Sequence, residues 1–311
     1  LKKQLIKEGC LFKSDGDTEV ILQGYMKWGL KIFNLIEGMF TIIIIDKNLK
    51  KALVVRDPIG IKPLYMTRLN PGIAFASEIK PLRRLVGTSV DISALSELLT
   101  FRYASGEKSN YKNIQKVKPG ALIEINLDTA SVKEKLFENT LSTFQIDNNL
   151  TELEWLELLK DSLLESCKSH LQSDVGYTLQ LSGGLDSSLI TAMTSKITSK
   201  KLSTFSVKLD DYEYDESEWR NLIIQKYDLD HNEIHLSSQD FTEAWPEAVK
   251  VMEGPSPHFG CVMLMLLCKE ISKESKVVLT GEGADEIFGG YARYKVWNNL
   301  KRIRFISQLF P

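Results

Sequence analysis

Cysteine is scarce in this chain and poorly placed for structural chemistry. The four cysteines, Cys10, Cys167, Cys261 and Cys268, never fall into a C-x-x-C spacing. That scatter excludes a zinc ribbon and a disulfide framework, and it leads to the expectation of a reducing, cytoplasmic setting. Cys261 and Cys268 stand seven apart in an apolar helical run, a spacing that suits core packing. An excess of charge of one sign is lacking too. With 39 basic and 41 acidic residues the formal net charge is −2, so neither nucleic acid nor an anionic membrane is expected as a partner. Short basic clusters, such as Lys80 with Arg83 and Arg84, or Lys301 with Arg302 and Arg304, read as solvated faces. Long apolar runs are also missing. The longest, around Met39 to Ile45, is far too short to span a bilayer.

What is present is ordinary in bulk and unusual in two places. Hydrophobic content of 43% over 311 residues is enough for about two domains, each with its own core. The first unusual place is Ser182-Gly183-Gly184-Leu185-Asp186-Ser187-Ser188. It follows the apolar run Val175 to Leu181 and leads into a helical stretch from Leu189. Paired glycines at a strand-to-helix turn let the backbone approach a ligand closely. The helix start then offers unpaired N–H groups and a positive dipole end, and the serines add hydroxyl donors. That combination suits a phosphate chain. Asp186 beside it would repel phosphate unless a cation lay between them, which implies Mg2+. A Ser-Gly-Asp turn can also be a plain capped loop.

The second unusual place is Gly281-Glu282-Gly283-Ala284-Asp285-Glu286-Ile287-Phe288-Gly289-Gly290-Tyr291, which follows the strand-like Val277 to Thr280. Open α/β sheets bind ligands at the carboxyl ends of their strands, so two such turns are expected to face one crevice. Together, SGGLDSS followed by GEGADEIFGGY resembles the glutamine-hydrolysing asparagine synthetases. The first motif alone marks only the broader pyrophosphate-loop ATP enzymes. The resemblance extends upstream through Ser14 to Val20, Glu37 to Phe40, Arg56 to Tyr65 and Phe75 to Lys80, which match the family's amidotransferase domain. Matching is weak only around residues 128–150.

The resemblance implies a fold and a set of site residues. The fold is an incomplete Ntn-hydrolase αββα sandwich over residues 1–127, a linker at 128–149, and a doubly wound parallel α/β domain of the ATP-pyrophosphatase type over 150–311. Asp186 and Asp285 are the expected magnesium ligands. Ser182, Gly183, Gly184, Asp186, Ser187 and Ser188 are assigned to pyrophosphate, and Leu181, Val207, Thr280 and Gly281 to adenine and ribose. Glu282 takes the role of the family glutamate that supports acyl-adenylate formation. Asp17 matches the residue that binds the α-amino group of glutamine, although Asp17-Thr18-Glu19 is also a good helix-capping sequence. The pair Asp215-Glu216 matches a family pattern and reads equally well as an exposed loop. Arg56, Asp57 and Lys62 are expected to pin the boundary between domains. His231, His235 and His258 carry no metal expectation.

The implied activity is that of a carbon–nitrogen ligase using ATP, aspartate and glutamine, with Mg2+. Related amidotransferases and cyclases, such as β-lactam synthetases, lasso-peptide cyclases or surface-sugar amidotransferases, share these signatures and stay open. So does an inactive fragment. Met252 to His258 departs from the common family pattern near the aspartate pocket. The chain opens Leu1-Lys2-Lys3-Gln4, without the family's N-terminal cysteine nucleophile, and is expected to lack both the start and the end of the family pattern. Cys10 has no partner histidine nearby to make it a substitute. Oligomeric state is not legible, a homodimer being one arrangement.

Local patterns fill in the rest. Asp17 to Trp28 reads as a helix, Gly38 to Asp46 and Ala52 to Val55 as a hairpin, and Lys62 to Thr67 with Ile73 to Ser77 as strands around Asn70-Pro71-Gly72. Helix and strand alternate from Leu150 onward, with strands expected at 175–181, 203–207, 233–236 and 276–280. A final helix is expected from Arg293 to Leu309.

Overall fold

The computed structural model describes residues 1–87, 89–137, 149–210, 216–255, 258–294, 296, 297 and 300. Two compact units emerge, Leu1–Asp147 with Glu253–Pro257, and Asn148–Met252 with His258–Pro311. The expected helix at 293–309 lies largely outside the described residues, as does Asp215.

Unit 1 runs α1 (Lys2–Lys7), α2 (Asp17–Trp28), a 3-10 turn (Gly29–Leu35), β1 (Thr41–Asp46), β2 (Lys51–Arg56), β3 (Tyr65–Arg68), β4 (Ile73–Ala76), α3 (Ile79–Leu85), α4 (Ile92–Phe101), β5 (Gln115–Lys116), β6 (Ala121–Asn126) and β7 (Val132–Leu136). The strands form two antiparallel sheets, ordered β1-β2-β6-β7 and β4-β3-β5. Alternation along β2 explains the layering. Leu53 and Val55 point to one face, where Ile32, Phe33, Ile42, Ile44 and Leu122 join them, with Ile21 and Tyr25 of α2 packed alongside. Ala52 and Val54 point to the other, against Leu64, Val117, Ile123, Met66 and Phe75 of the second sheet. On the far side of that sheet, Ile79 and Leu82 of α3 pack with Ile114, Tyr65 and Ala74. Helix, sheet, sheet, helix is the expected αββα order. Strand β1 is covered on one face only, since Ile43 and Ile45 are 51% and 63% exposed.

The polar stretch at 128–149, expected as a linker, holds β7, which pairs Val132 with Ile125 through Leu136 with Ala121. Lys133, Glu134 and Lys135 lie exposed along this edge strand. Solvent on both faces removes the apolar alternation that would have announced it, and charge is how edge strands avoid pairing elsewhere.

Unit 2 runs α5 (Glu152–His170), β8 (Tyr177–Gln180), α6 (Leu185–Ile197), β9 (Ser203–Leu209), α7 (Ser217–Tyr227), β10 (Asp230–Leu236), α8 (Ser238–Val251), α9 (Gly260–Ile271), β11 (Val277–Leu279) and α10 (Ala284–Phe288). Helix α5 begins at a capping box, Thr151 and Glu154 each satisfying the other's backbone N–H. The four strands are parallel in the order β10-β9-β8-β11. Leu179, Leu181, Leu202 and Leu229 pack with Ile190 of α6 and Ile223 and Ile224 of α7 on one face. Phe205 packs with Leu267 and Ile271 of α9 on the other. The chain builds outward from β8 to β10 and then returns to β11 on the opposite flank. Strands β8 and β11 therefore flank the point where the winding reverses, and a crevice opens at their carboxyl ends.

Candidate active site

Both glycine-rich turns leave the sheet at that crevice. Leu181, directly after β8, lies in the core, 0% exposed, its N–H donating to the Phe205 carbonyl at 2.8 Å. Gly183 then turns at φ +107°, a conformation that excludes other residues on strain alone. Space excludes them too, because a Cβ there would sit 2.6 Å from the Glu216 carbonyl oxygen. Within the turn, Gly184 N–H donates to Ser182 Oγ at 3.1 Å, and the Ser182 and Ser187 hydroxyls lie 3.0 Å apart. Ser188 is half-buried in the first turn of α6, its N–H donating to the Gly184 carbonyl at 3.1 Å. Val207 packs half-buried beside Phe205 and lines no part of the crevice.

The second turn rests directly on the first. A Cβ added to Gly281 would lie 2.9 Å from Asp186 Cβ, 2.9 Å from the Ser187 amide nitrogen and 3.0 Å from the Asp186 carbonyl carbon. Only glycine allows that approach. The Glu282 N–H donates to Thr280 Oγ1 at 3.3 Å, and Gly283 takes φ +93° before α10. Gly290 folds back so closely that a Cβ there would lie 2.0 Å from Asp285 Oδ1. The two turns enclose a polar cleft of about 170 Å3. Ser182, Gly184, Asp186 and Ser187 line it from one side, and Thr280, Gly281, Glu282 and Asp285 from the other. Two glycine turns, two aspartates and a helix start thus share one small cleft.

Three further lining residues, Gln180, Glu286 and Tyr291, had no role in the sequence reading. Glu286 and Tyr291 stand inside the second motif, so their place in it was the available signal. The Tyr291 hydroxyl donates to Glu286 Oε1 at 2.6 Å. That bond to a carboxylate, with some burial, pushes the tyrosine pKa up to about 12 and holds Glu286 below the usual carboxylate range.

In unit 1, Asp17 is the first residue of α2 and Gly16 is the N-cap. Asp17 lines a separate cavity of about 770 Å3 with Phe40, Thr41, Lys62 and Ser77. Arg56 and Asp57 bind locally. Arg56 donates to the carbonyls of Lys62 (2.8 Å), Gly60 (2.7 Å) and Val117, and Asp57 accepts from the N–H groups of Ile61 (2.8 Å) and Lys62 (3.0 Å). Among the described residues no three His, Cys, Asp or Glu side chains cluster as a metal cage. His231 instead bridges Thr204 Oγ1 and Ser206 Oγ at 2.9 and 3.0 Å. All four cysteines are free, and no described helix is long and apolar enough to cross a membrane.

Comparison with known proteins accords with this geometry. A family model for asparagine synthase matches residues 158–308, and one for a glutamine amidotransferase domain matches residues 1–137. Glutamine-hydrolysing asparagine synthetase 1 of Bacillus subtilis is 30% identical over 302 residues, covering 97% of this chain and 47% of the relative. Both halves of this chain are similar to the glutamine-hydrolysing asparagine synthetases. Asparagine synthetase B of Escherichia coli is 29% identical, across 94% of this chain and 50% of its own. The chain spans about half the length of the curated asparagine synthetases it matches. Among solved structures, a glutamine-dependent NAD+ synthetase from Acinetobacter baumannii aligns over 90% of this chain and 68% of its own at 14% identity, with a TM-score of 0.36. An overlap that slight supports no inference about the site.

Proposed function

We propose that unit 2 uses ATP to adenylate the side-chain carboxylate of aspartate and then amidates it with ammonia, giving asparagine, AMP and pyrophosphate. Residues 150–311 carry this synthetase half, and residues 1–127 belong to the half that releases ammonia from glutamine, with Asp17 binding the glutamine α-amino group. The observation that carries the reading is the contact of Gly281 with Asp186 and Ser187, which joins two glycine-rich turns into one cleft at the carboxyl ends of β8 and β11.

The chemistry follows from the parts. A carboxylate is a poor acyl donor because its oxide leaving group is strongly basic. Attack of the aspartate side chain on the α-phosphorus of ATP expels pyrophosphate and replaces that oxide with AMP, a good leaving group. Ammonia then attacks the activated carbonyl. The N–H groups at the start of α6 and the hydroxyls of Ser182, Ser187 and Ser188 bind phosphate oxygens. Backbone at Thr280 and Gly281, which line the cleft, and at Leu181, where the chain leaves β8, grips adenine and ribose, whereas Val207 stands away from the cleft and takes no part. Glu282, exposed on the second turn, supports formation of the adenylate.

Magnesium fits the donor set. Mg2+ keeps most of its waters and binds through one or two carboxylates plus phosphate oxygens, so the lack of a three-residue cage among the described residues suits it. Asp186 and Asp285 would hold it, and when bound it would neutralise charge building on the leaving pyrophosphate. The test is ATP–pyrophosphate exchange with a panel of carboxylate acceptors. Exchange that requires aspartate is the expected result. Exchange only with another acceptor would move the protein to a related amidotransferase or cyclase activity, and no exchange at all would refute adenylation.

A further inference from the structure

The first turn of the cleft is seated on a buried arginine that no motif announces. Arg220, in the first turn of α7, is 3% exposed. Its Nη1 donates to the Ser182 carbonyl at 3.2 Å. Nη2 donates to Ser217 Oγ at 2.8 Å and to the Glu233 carboxylate of β10. Its backbone joins in, because a Cβ at Gly183 would lie 3.1 Å from the Arg220 amide nitrogen. Glu233 is itself placed by its strand. It pairs in register with Ser206 of β9, and His231, two residues back, is locked by the hydroxyls of Thr204 and Ser206. A chain of contacts thus runs from β9 and β10 through Glu233 and Arg220 to the first residue of the turn.

We infer that Arg220 is the positioning residue of this turn, holding the Ser182 carbonyl down on the buried side so that the turn offers donors to a pyrophosphate group. The inference rests on the nucleotide reading of the cleft proposed above. An unanchored carbonyl would be free to turn its negative end toward phosphate. The Arg220–Glu233 pair is neutral as a unit, so its contribution is geometric and does not come from added positive charge. Only the arginine fork supplies two separated donors, one for Ser182 and one for Glu233, and a lysine ammonium cannot span both.

The experiment measures magnesium pyrophosphate affinity by calorimetry, melting temperature by circular dichroism, and the KM for aspartate in exchange. Arg220→Lys keeps the charge and loses the fork. It is expected to bind pyrophosphate about tenfold more weakly, the order that one lost charge-assisted hydrogen bond allows, with the aspartate KM unmoved. Arg220→Met combined with Glu233→Gln removes both charges and leaves none buried alone, so it is expected to melt near the unaltered protein yet bind about as weakly as Arg220→Lys. Unaltered affinity in either variant would overturn the inference. So would a fall in melting temperature with full affinity in the folded protein, the mark of a purely structural arginine. Should the double variant fail to fold, Arg220→Lys decides. Pyrophosphate binding does not depend on the acceptor, so the two proposals fail separately. A protein that binds pyrophosphate without exchanging any acceptor sinks adenylation alone, whereas a protein that never binds pyrophosphate sinks both.

Discussion

Gly281→Ala puts a single methyl where the two turns meet. The new Cβ would stand 2.9 Å from Asp186 Cβ and 2.9 Å from the Ser187 amide nitrogen. Carbon–carbon contacts are comfortable at about 3.5–4.0 Å, so one turn must retreat by about 0.6 Å or more. Two of the three atoms it meets belong to the backbone of α6, and no rotamer change relieves them. Overpacking of this kind costs about 1–3 kcal/mol of stability. Function should suffer more, because a misplacement of about 1 Å in a reacting site can cost about a hundredfold. The expected outcome in ATP–pyrophosphate exchange is a loss of about ten- to a hundredfold in rate, with the protein still folded. Gly176→Ala is the control. It precedes β8 at the other end of the strand, has nothing within 4 Å of the added Cβ, and needs no left-handed backbone. Wild-type exchange by Gly281→Ala, or equal loss in both variants, would refute the claim that the turns act as one site.

Three other outcomes are expected. Exchange should require magnesium, cease with a chelator and return when the ion is restored; undiminished exchange in its absence would remove the role given to Asp186 and Asp285. Burial and the charge of Arg220 hold His231 below its ordinary value of 6.5, with Glu233 opposing them. The unfolded chain therefore takes up the proton first as pH falls, so His231 contributes stability that is complete above about pH 6.5 and lost on acidification through its lowered value. Thermal melts from pH 7.5 to 5 should show that decline, and His231→Gln should flatten it. Thr151→Ala opens the capping box of α5 and should lower stability by about 1 kcal/mol in denaturant titration without changing exchange; an unchanged midpoint would contradict the cap.

Much of this structure was legible because it is built from strong periodicities. The β1–β2 hairpin, α2 and the parallel strands of unit 2 follow apolar runs bounded by turn residues, and local pattern governs them. What was missed has a physical reason in each case. Strand β10 begins at Asp230, three residues before the expected start, because Asp230, His231 and Asn232 are polar and hide the strand, His231 finding its partners Thr204 and Ser206 only across the sheet. Helix α8 carries Pro246 in its interior, a residue that argues against helix, although the capping box at Ser237 and Asp240 was there to be read. The two turns advertised themselves by composition, and the strand rule for open sheets foretold that they would meet. Arg220 could not be found that way. Its partners Ser182 and Glu233 are 38 and 13 residues distant, and only the packing of α7 on the face of the sheet brings them together.

The central claim is that one magnesium-bridged phosphate group spans both turns, held by an aspartate from each. A double-mutant cycle on magnesium pyrophosphate affinity tests it most directly, using Asp186→Asn, Asp285→Asn and the pair, with calorimetry as the readout. Aspartates that grip the same ion must be coupled, so removal of the second should cost at least about 1 kcal/mol less once the first is gone. Losses that simply add, to within about 0.5 kcal/mol, would mean that the two carboxylates serve separate sites and would contradict the account.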